Sequence, residues 1–166
     1  GLTLLHSGLL FNNKAELIPC TPMGVMELLK YYNIDLDGAT VTIVNRSNLV
    51  GKPLSSLLLE KNSTVIICHS HTKNLDYFLQ CSDIIITAVG DRNKFKLTKN
   101  MVKENSTVID IGTSRVDSKL LGDVDFEDVK EKTAYITPVT GGVGPMTITM
   151  LLKNTVKAAK LLNSIQ

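Results

Sequence analysis

The sequence predicts an α/β domain, a Rossmann-like doubly wound parallel sheet with helices on both faces. Three observations carry this. Short runs rich in β-branched residues, such as Ala39–Val44 (ATVTIV), are apolar almost throughout, as strands covered on both faces must be. Segments with apolar residues at helical spacing lie between them. Three of the connections are long enough for right-handed crossovers. A chain of 166 residues is large enough for one such core.

The elements follow in order. Residues 1–20, beginning GLTLLHSGLLFNNKAELIP, have no clean period and read as an ordered connector; residues 21–166 read as the domain. A first helix is expected over Pro22–Tyr32. Thr21 would be its N-cap, Pro22 its first residue, and Val25, Met26, Leu28 and Leu29 its apolar stripe. Ala39–Val44 is the first strand, and a helix from about Pro53 to Lys61 follows with Leu54, Leu57 and Leu58 on one face. Thr64–His69 reads as the second strand, Asp76–Cys81 as a helix, Asp83–Gly90 as the third strand and Thr107–Gly112 as the fourth. Ala134–Pro138 is a short fifth strand. Met146–Leu162 is a long last helix with more apolar surface than one face of a sheet requires.

Composition narrows the function. Net charge is only +2 and the basic residues are scattered, so no nucleic-acid-binding stripe is present. No apolar run approaches the roughly 20 residues of a membrane span. Cys20, Cys68 and Cys81 are odd in number and lack metal-ligand spacing, so they read as reduced, buried thiols of a cytoplasmic protein, with no metal site. No signal peptide is visible, and a chain beginning at Gly1 reads as processed or cut from something larger.

In a doubly wound sheet, ligands sit at the carboxyl ends of the strands, where strand order reverses. The first such end reads TIVNRSNLVGKP, Thr42–Pro53. Asn45 stands at the turn and is expected to take positive φ. Gly51 stands where close packing or a phosphate disfavours a side chain. Arg46, Ser47 and Lys52 add donors near a helix N-terminus that can receive an anion. By itself this loop reads equally as an ordinary strand–helix connection. The second strand ends in CHSHTKN, Cys68–Asn74, without the carboxylate that binds the ribose of NAD. Ser70, His71 and Lys73 are donors instead, which suits a 2′-phosphate and hence NADP. His69 and His71 read as satisfied surface imidazoles and receive no catalytic role. Val89 and Gly90, in the loop ending the third strand, and the Asp110–Arg115 loop ending the fourth, lie where a nicotinamide ribose would approach. Thr137–Thr147, TPVTGGVGPMT, alone reads as a tight turn with a helix start.

PCTPMG, NRSNLVGKP, CHSHTKNL, GDVDF and TPVTGGVGPMTITMLLKNT occur in an order and spacing that resembles the bifunctional methylenetetrahydrofolate dehydrogenase/methenyltetrahydrofolate cyclohydrolases, over nearly the whole chain. The resemblance implies an NADP-binding domain in which Arg46 and Ser70 meet the 2′-phosphate and Thr113 the nicotinamide end. It implies Asn45, Ser47, Gly51, Val89, Gly90 and Thr147 as further cofactor contacts, and Thr140, Gly141 and Gly144 on the folate cleft. Asn45 stands for a glycine of the family, Thr140 for a proline, and Thr113–Arg115 for Ile-Asn-Arg. The family's cyclohydrolase chemistry rests on a tyrosine and a lysine four residues later, in a preceding domain. None of Tyr31, Tyr32, Tyr77 and Tyr135 has that lysine. The resemblance therefore implies a cofactor-binding half with no catalytic residue of its own, a small-molecule folate substrate, a missing N-terminal domain and pairing into a homodimer. A non-catalytic nucleotide-binding module and a different Rossmann oxidoreductase are the alternatives.

Overall fold

The computed structural model describes residues 1–163. Five parallel strands form the sheet: β1 (Thr40–Val44), β2 (Thr64–Cys68), β3 (Ile84–Thr87), β4 (Ser106–Asp110) and β7 (Thr133–Ile136), in the order β2-β1-β3-β4-β7. The chain moves outward from β1 to β2, returns to the other side of β1 with β3, and then steps away through β4 to β7. Strand order thus reverses between β1 and β3, and a crevice opens at their carboxyl ends. This is the fold class that the apolar strands predict.

Both faces are covered. On one, Val25 and Leu29 of α2 (Cys20–Tyr31) and Leu54 and Leu58 of α3 (Gly51–Leu59) pack on Val41, Ile43, Ile84 and Ile86. On the other, Leu79 of α4 (Leu75–Gln80), Leu97, Val102, Val124 and Val129 close over Val44, Ile85 and Val108. Alternate residues of one strand thus serve opposite cores, which is why the strands read as continuous apolar runs.

The differences from expectation have local causes. Residues 1–20 are not wholly irregular: Leu4–Phe11 is a helix, α1, and the Thr3 hydroxyl caps it by accepting from the His6 N–H. Leu4, Leu5 and Phe11 of this helix are exposed, so no single buried face marked it. α2 begins at Cys20 with Pro19 at its cap, and the Thr21 hydroxyl reaches across to that of Thr147 instead of capping (3.1 Å). α6 (Val143–Asn163) starts three residues before Met146. Between β4 and β7 lie three elements that propensity did not mark, the antiparallel hairpin of β5 (Ser114–Val116) and β6 (Lys119–Leu121) and the one-turn helix α5 (Phe126–Val129). The hairpin turns at Asp117 and Ser118, both with positive φ, a weaker turn signal than Asn-Gly. Of the three free cysteines only Cys68 is buried; Cys81 is exposed. No described helix is long and apolar enough to cross a membrane, and no metal-binding cluster occurs among the described residues.

Candidate cofactor site

The crevice at the strand-order reversal is built by three loops. The first runs from β1 into α3. Asn45 does not take the left-handed conformation expected of it. Its side chain does the work instead. Oδ1 accepts from the N–H groups of Ser47 (2.8 Å) and Gly51 (3.0 Å), and Nδ2 donates to the Ala88 carbonyl (2.6 Å). One amide therefore caps α3, shapes the loop and ties the end of β1 to the end of β3. Gly51 packs against the Asn45 backbone so closely that a Cβ there would overlap the Asn45 carbonyl.

The second loop follows β2. Its backbone folds on itself: the His69 N–H donates to the Thr72 hydroxyl (2.8 Å), and the His71 N–H to His69 Nδ1 (3.1 Å). His69 is held below the ordinary imidazole range by burial and then by the neighbouring charges of Arg46 and His71. Arg46 itself is exposed and forms no ion pair among the described residues. Together Asn45, Arg46, Ser47, Ser70 and Val89 line one cleft of about 560 Å³, with Thr72 and Lys94 and without a carboxylate. A guanidinium with no anionic partner, in a cleft that lacks carboxylates, is chemically fitted to a phosphate.

The third loop, Ala88–Asp91, lies between Asn45 and a pair of carboxyls that sequence reasoning did not identify. Asp123 accepts from the N–H groups of Val89 (2.6 Å) and Gly90 (2.9 Å). Asp110, the last residue of β4, accepts from the N–H groups of Asp123 and Val124 and from the Thr87 hydroxyl. Both are buried, and burial pushes both above the ordinary carboxyl range; the charge of Asp110 adds to the effect on Asp123. The sequence signal available was an aspartate after each of two apolar segments, with Gly112 and Gly122 leaving the space that these carboxyls fill.

The remaining expected site residues fall elsewhere. Gly90 has positive φ and faces the Thr113 carbonyl, so the loops after β3 and β4 meet there. Thr147 does not line the Arg46 cleft; its hydroxyl lies between that of Thr21 and the Val143 carbonyl, where α2 and α6 pack. Thr140, Gly141 and Gly144 are exposed between β7 and the first turn of α6. Gly141 borders a separate, largely apolar cleft of about 370 Å³ beside Tyr32 and Tyr135.

Residues 19–163 match the family described as tetrahydrofolate dehydrogenase/cyclohydrolase, NAD(P)-binding domain. A bifunctional protein FolD from Nitrosopumilus maritimus is 59% identical over 99% of this chain, which spans 58% of that relative. Its counterpart in Cenarchaeum symbiosum is 55% identical over the whole chain and 59% of its own length. Among solved structures, the bifunctional FolD enzyme of Campylobacter jejuni superposes with a TM-score of 0.91 at 49% identity, over 96% of this chain and 56% of that one. The Trypanosoma brucei enzyme, solved with NADP cofactor and inhibitor, superposes at 0.89 with 34% identity, over 99% of this chain and 58% of that one. The chain belongs to the tetrahydrofolate dehydrogenase/cyclohydrolase family and carries its NAD(P)-binding domain.

Proposed function

We propose that this chain binds NADP and is the cofactor-binding part of a bifunctional enzyme. That enzyme oxidises 5,10-methylenetetrahydrofolate to the methenyl form and hydrolyses it to 10-formyltetrahydrofolate. The observation that carries the cofactor choice is Arg46, which has no ion pair among the described residues and lies in a cleft whose lining holds no carboxylate. Arg46 and Ser70 hold the 2′-phosphate, while Asn45 and Ser47 shape the loop beneath it. Val89, Gly90 and Thr113 border the nicotinamide half. The bound dinucleotide accepts hydride from the substrate's one-carbon bridge; this chain's residues orient it and need no acid–base pair to do so.

Thr140, Gly141 and Gly144, exposed between β7 and the first turn of α6, face the folate in this reading. The rest of the machinery, including a Tyr-x-x-x-Lys pair, lies in a further N-terminal domain. Two observations support a partner there: this chain spans 58% of the length of its Nitrosopumilus relative, and α1 and α6 carry exposed Leu4, Leu5, Ile148, Leu152 and Val156. The same exposed apolar residues bring two copies together as a homodimer in this reading.

Titration of the purified chain with NADP and NAD tests the cofactor assignment. The expected result is binding of NADP at least ten-fold tighter than NAD; equal affinity, or a preference for NAD, contradicts it. In the same preparation, NADP-dependent oxidation of methylenetetrahydrofolate and methenyl hydrolysis are expected to be absent. Turnover at an ordinary enzymatic rate by the chain alone contradicts the division of labour.

A further inference from the structure

The loop after β3 is fixed from two sides, and one of its supports lies outside the cofactor cleft. Asn45 holds the Ala88 carbonyl at 2.6 Å from the β1 side. From the other side the two oxygens of Asp123 take the next two N–H groups, those of Val89 and Gly90. Two successive N–H groups turned toward one carboxylate form an anion-binding concavity. Here the anion is a side chain of the same protein, so the loop keeps its shape without a ligand. Asp123 is itself fully buried and does not line the Arg46 cleft. Its own N–H is held by Asp110, and the Arg92 guanidinium donates to the carbonyls on either side of it, Gly122 (2.7 Å) and Val124 (2.6 Å). A Cβ on Gly112 would overlap the Asp123 carboxylate, and one on Gly122 the Asp110 carboxylate. Each residue around the pair is thus small or bonded in a way that leaves the carboxylates in place.

We propose that Asp123 is a positioning residue for the nicotinamide half of the cofactor: it sets the Val89–Gly90 turn against Thr113 while leaving the adenosine-phosphate half, at Arg46 and Ser70, untouched. This rests on the reading of the cleft as an NADP site. An asparagine at 123 supplies one acceptor oxygen where two are used, and turns an NH2 donor toward one of the two N–H groups. The turn then loses a bond and gains a donor–donor contact. The loop after β2 has no bond to Asp123 and keeps its own.

The test compares three ligands: NADP, adenosine 2′,5′-bisphosphate, which contains only the adenosine-phosphate half, and nicotinamide mononucleotide. Calorimetric titration of wild type and Asp123→Asn is expected to show NADP weakened at least ten-fold in the variant, with the bisphosphate within two-fold of wild type. Equal weakening of both ligands, as a general structural defect produces, overturns the proposal, and so does no weakening of either. If wild type binds neither NADP nor the bisphosphate, the reading of the cleft fails before the proposal is reached. A second measurement requires no variant. In wild type, the amide resonance of Gly90 is expected to shift with NADP and nicotinamide mononucleotide but not with the bisphosphate, which moves Arg46 and Ser70 and the Val89 that lines the same cleft. A shift of Gly90 with the bisphosphate alone contradicts the division.

Discussion

The carboxyl edge of the sheet and the outer flank, meaning the exposed faces of α1 on α3 and of α6 on α2, are finished to different degrees. At the edge, one asparagine and two carboxyls tie the ends of β1, β3 and β4 through named hydrogen bonds. On the flank, Leu4 is 94% exposed, Leu152 65% and Val156 57%, while the surrounding contacts are surface ion pairs such as Lys153–Glu27 and Lys157–Glu16. Surface pairs of this kind contribute little. The edge is complete without help and can bind a ligand as it stands. The flank leaves apolar area in water of the kind that marks a contact surface. In the function proposed above, cofactor binding rests on this chain, and the chemistry on this chain together with a partner that covers the flank.

The largest effect that can break this contrast is loss of the packing behind the edge. Leu54 of α3 is fully buried against the sheet. Leu54→Ala is expected to cost about 2–5 kcal/mol in urea unfolding, the range for a buried leucine leaving a cavity. A loss below ~1 kcal/mol would mean that α3 is not anchored as described. Gly51→Ala comes next, because its Cβ must displace the Asn45 carbonyl. We expect a loss of about 1–3 kcal/mol in stability and weaker NADP binding, since the displaced residue shapes the loop that carries Arg46. Unchanged binding would show that the Asn45 clasp is irrelevant to the cofactor.

A pH series sharpens the account of the edge. Asp110 and Asp123 have carboxyls raised by burial, so the folded chain takes up their protons more readily than the unfolded chain. As pH falls from the raised values toward the ordinary carboxyl range, these groups add stability; above the raised values that contribution is absent. Asp83 has the opposite sign. The Lys103 hydrogen bond holds its carboxyl low, so its contribution is present above the ordinary value and lost as pH falls through the lowered one. Urea midpoints of wild type and Asp123→Asn, measured from neutral pH downward, are therefore expected to diverge in favour of wild type. A constant difference contradicts the buried, raised carboxyl.

The smallest expected effect is on the flank. Leu152→Ser should change the stability of this chain by no more than about 0.5 kcal/mol, because the side chain is mostly in water already. Its expected consequence is weaker self-association in sedimentation. A loss of several kcal/mol would mean that α6 completes this domain's own core and needs no partner.

Legibility in the sequence followed the same contrast. The central strands β1 and β3 are the most legible because nearly every residue of each is buried and most are apolar, and the meeting of Arg46, Ser47 and Ser70 in one cleft is legible because strand ends in this topology converge. Asn45 was recognised by position and misread in mechanism: backbone preference suggested positive φ, whereas its side chain makes three hydrogen bonds. Asp123 escaped because nothing local distinguishes a buried aspartate from an exposed one; its partners Val89 and Gly90 are more than thirty residues away in sequence. α1 escaped because its exposed leucines follow no buried face, and the β5–β6 hairpin because Asp-Ser is a poor turn signal.

In the proposed function, Arg46 binds the 2′-phosphate of NADP. The most direct measurement is the affinity of wild type and Arg46→Ala for NADP and for NAD, under one set of solution conditions. The substitution is expected to weaken NADP by about 1.5–3 kcal/mol, roughly ten- to a hundred-fold, as loss of a charge-assisted bond to phosphate does, and to leave NAD almost unchanged. Equal losses for the two cofactors, or none for NADP, would contradict it.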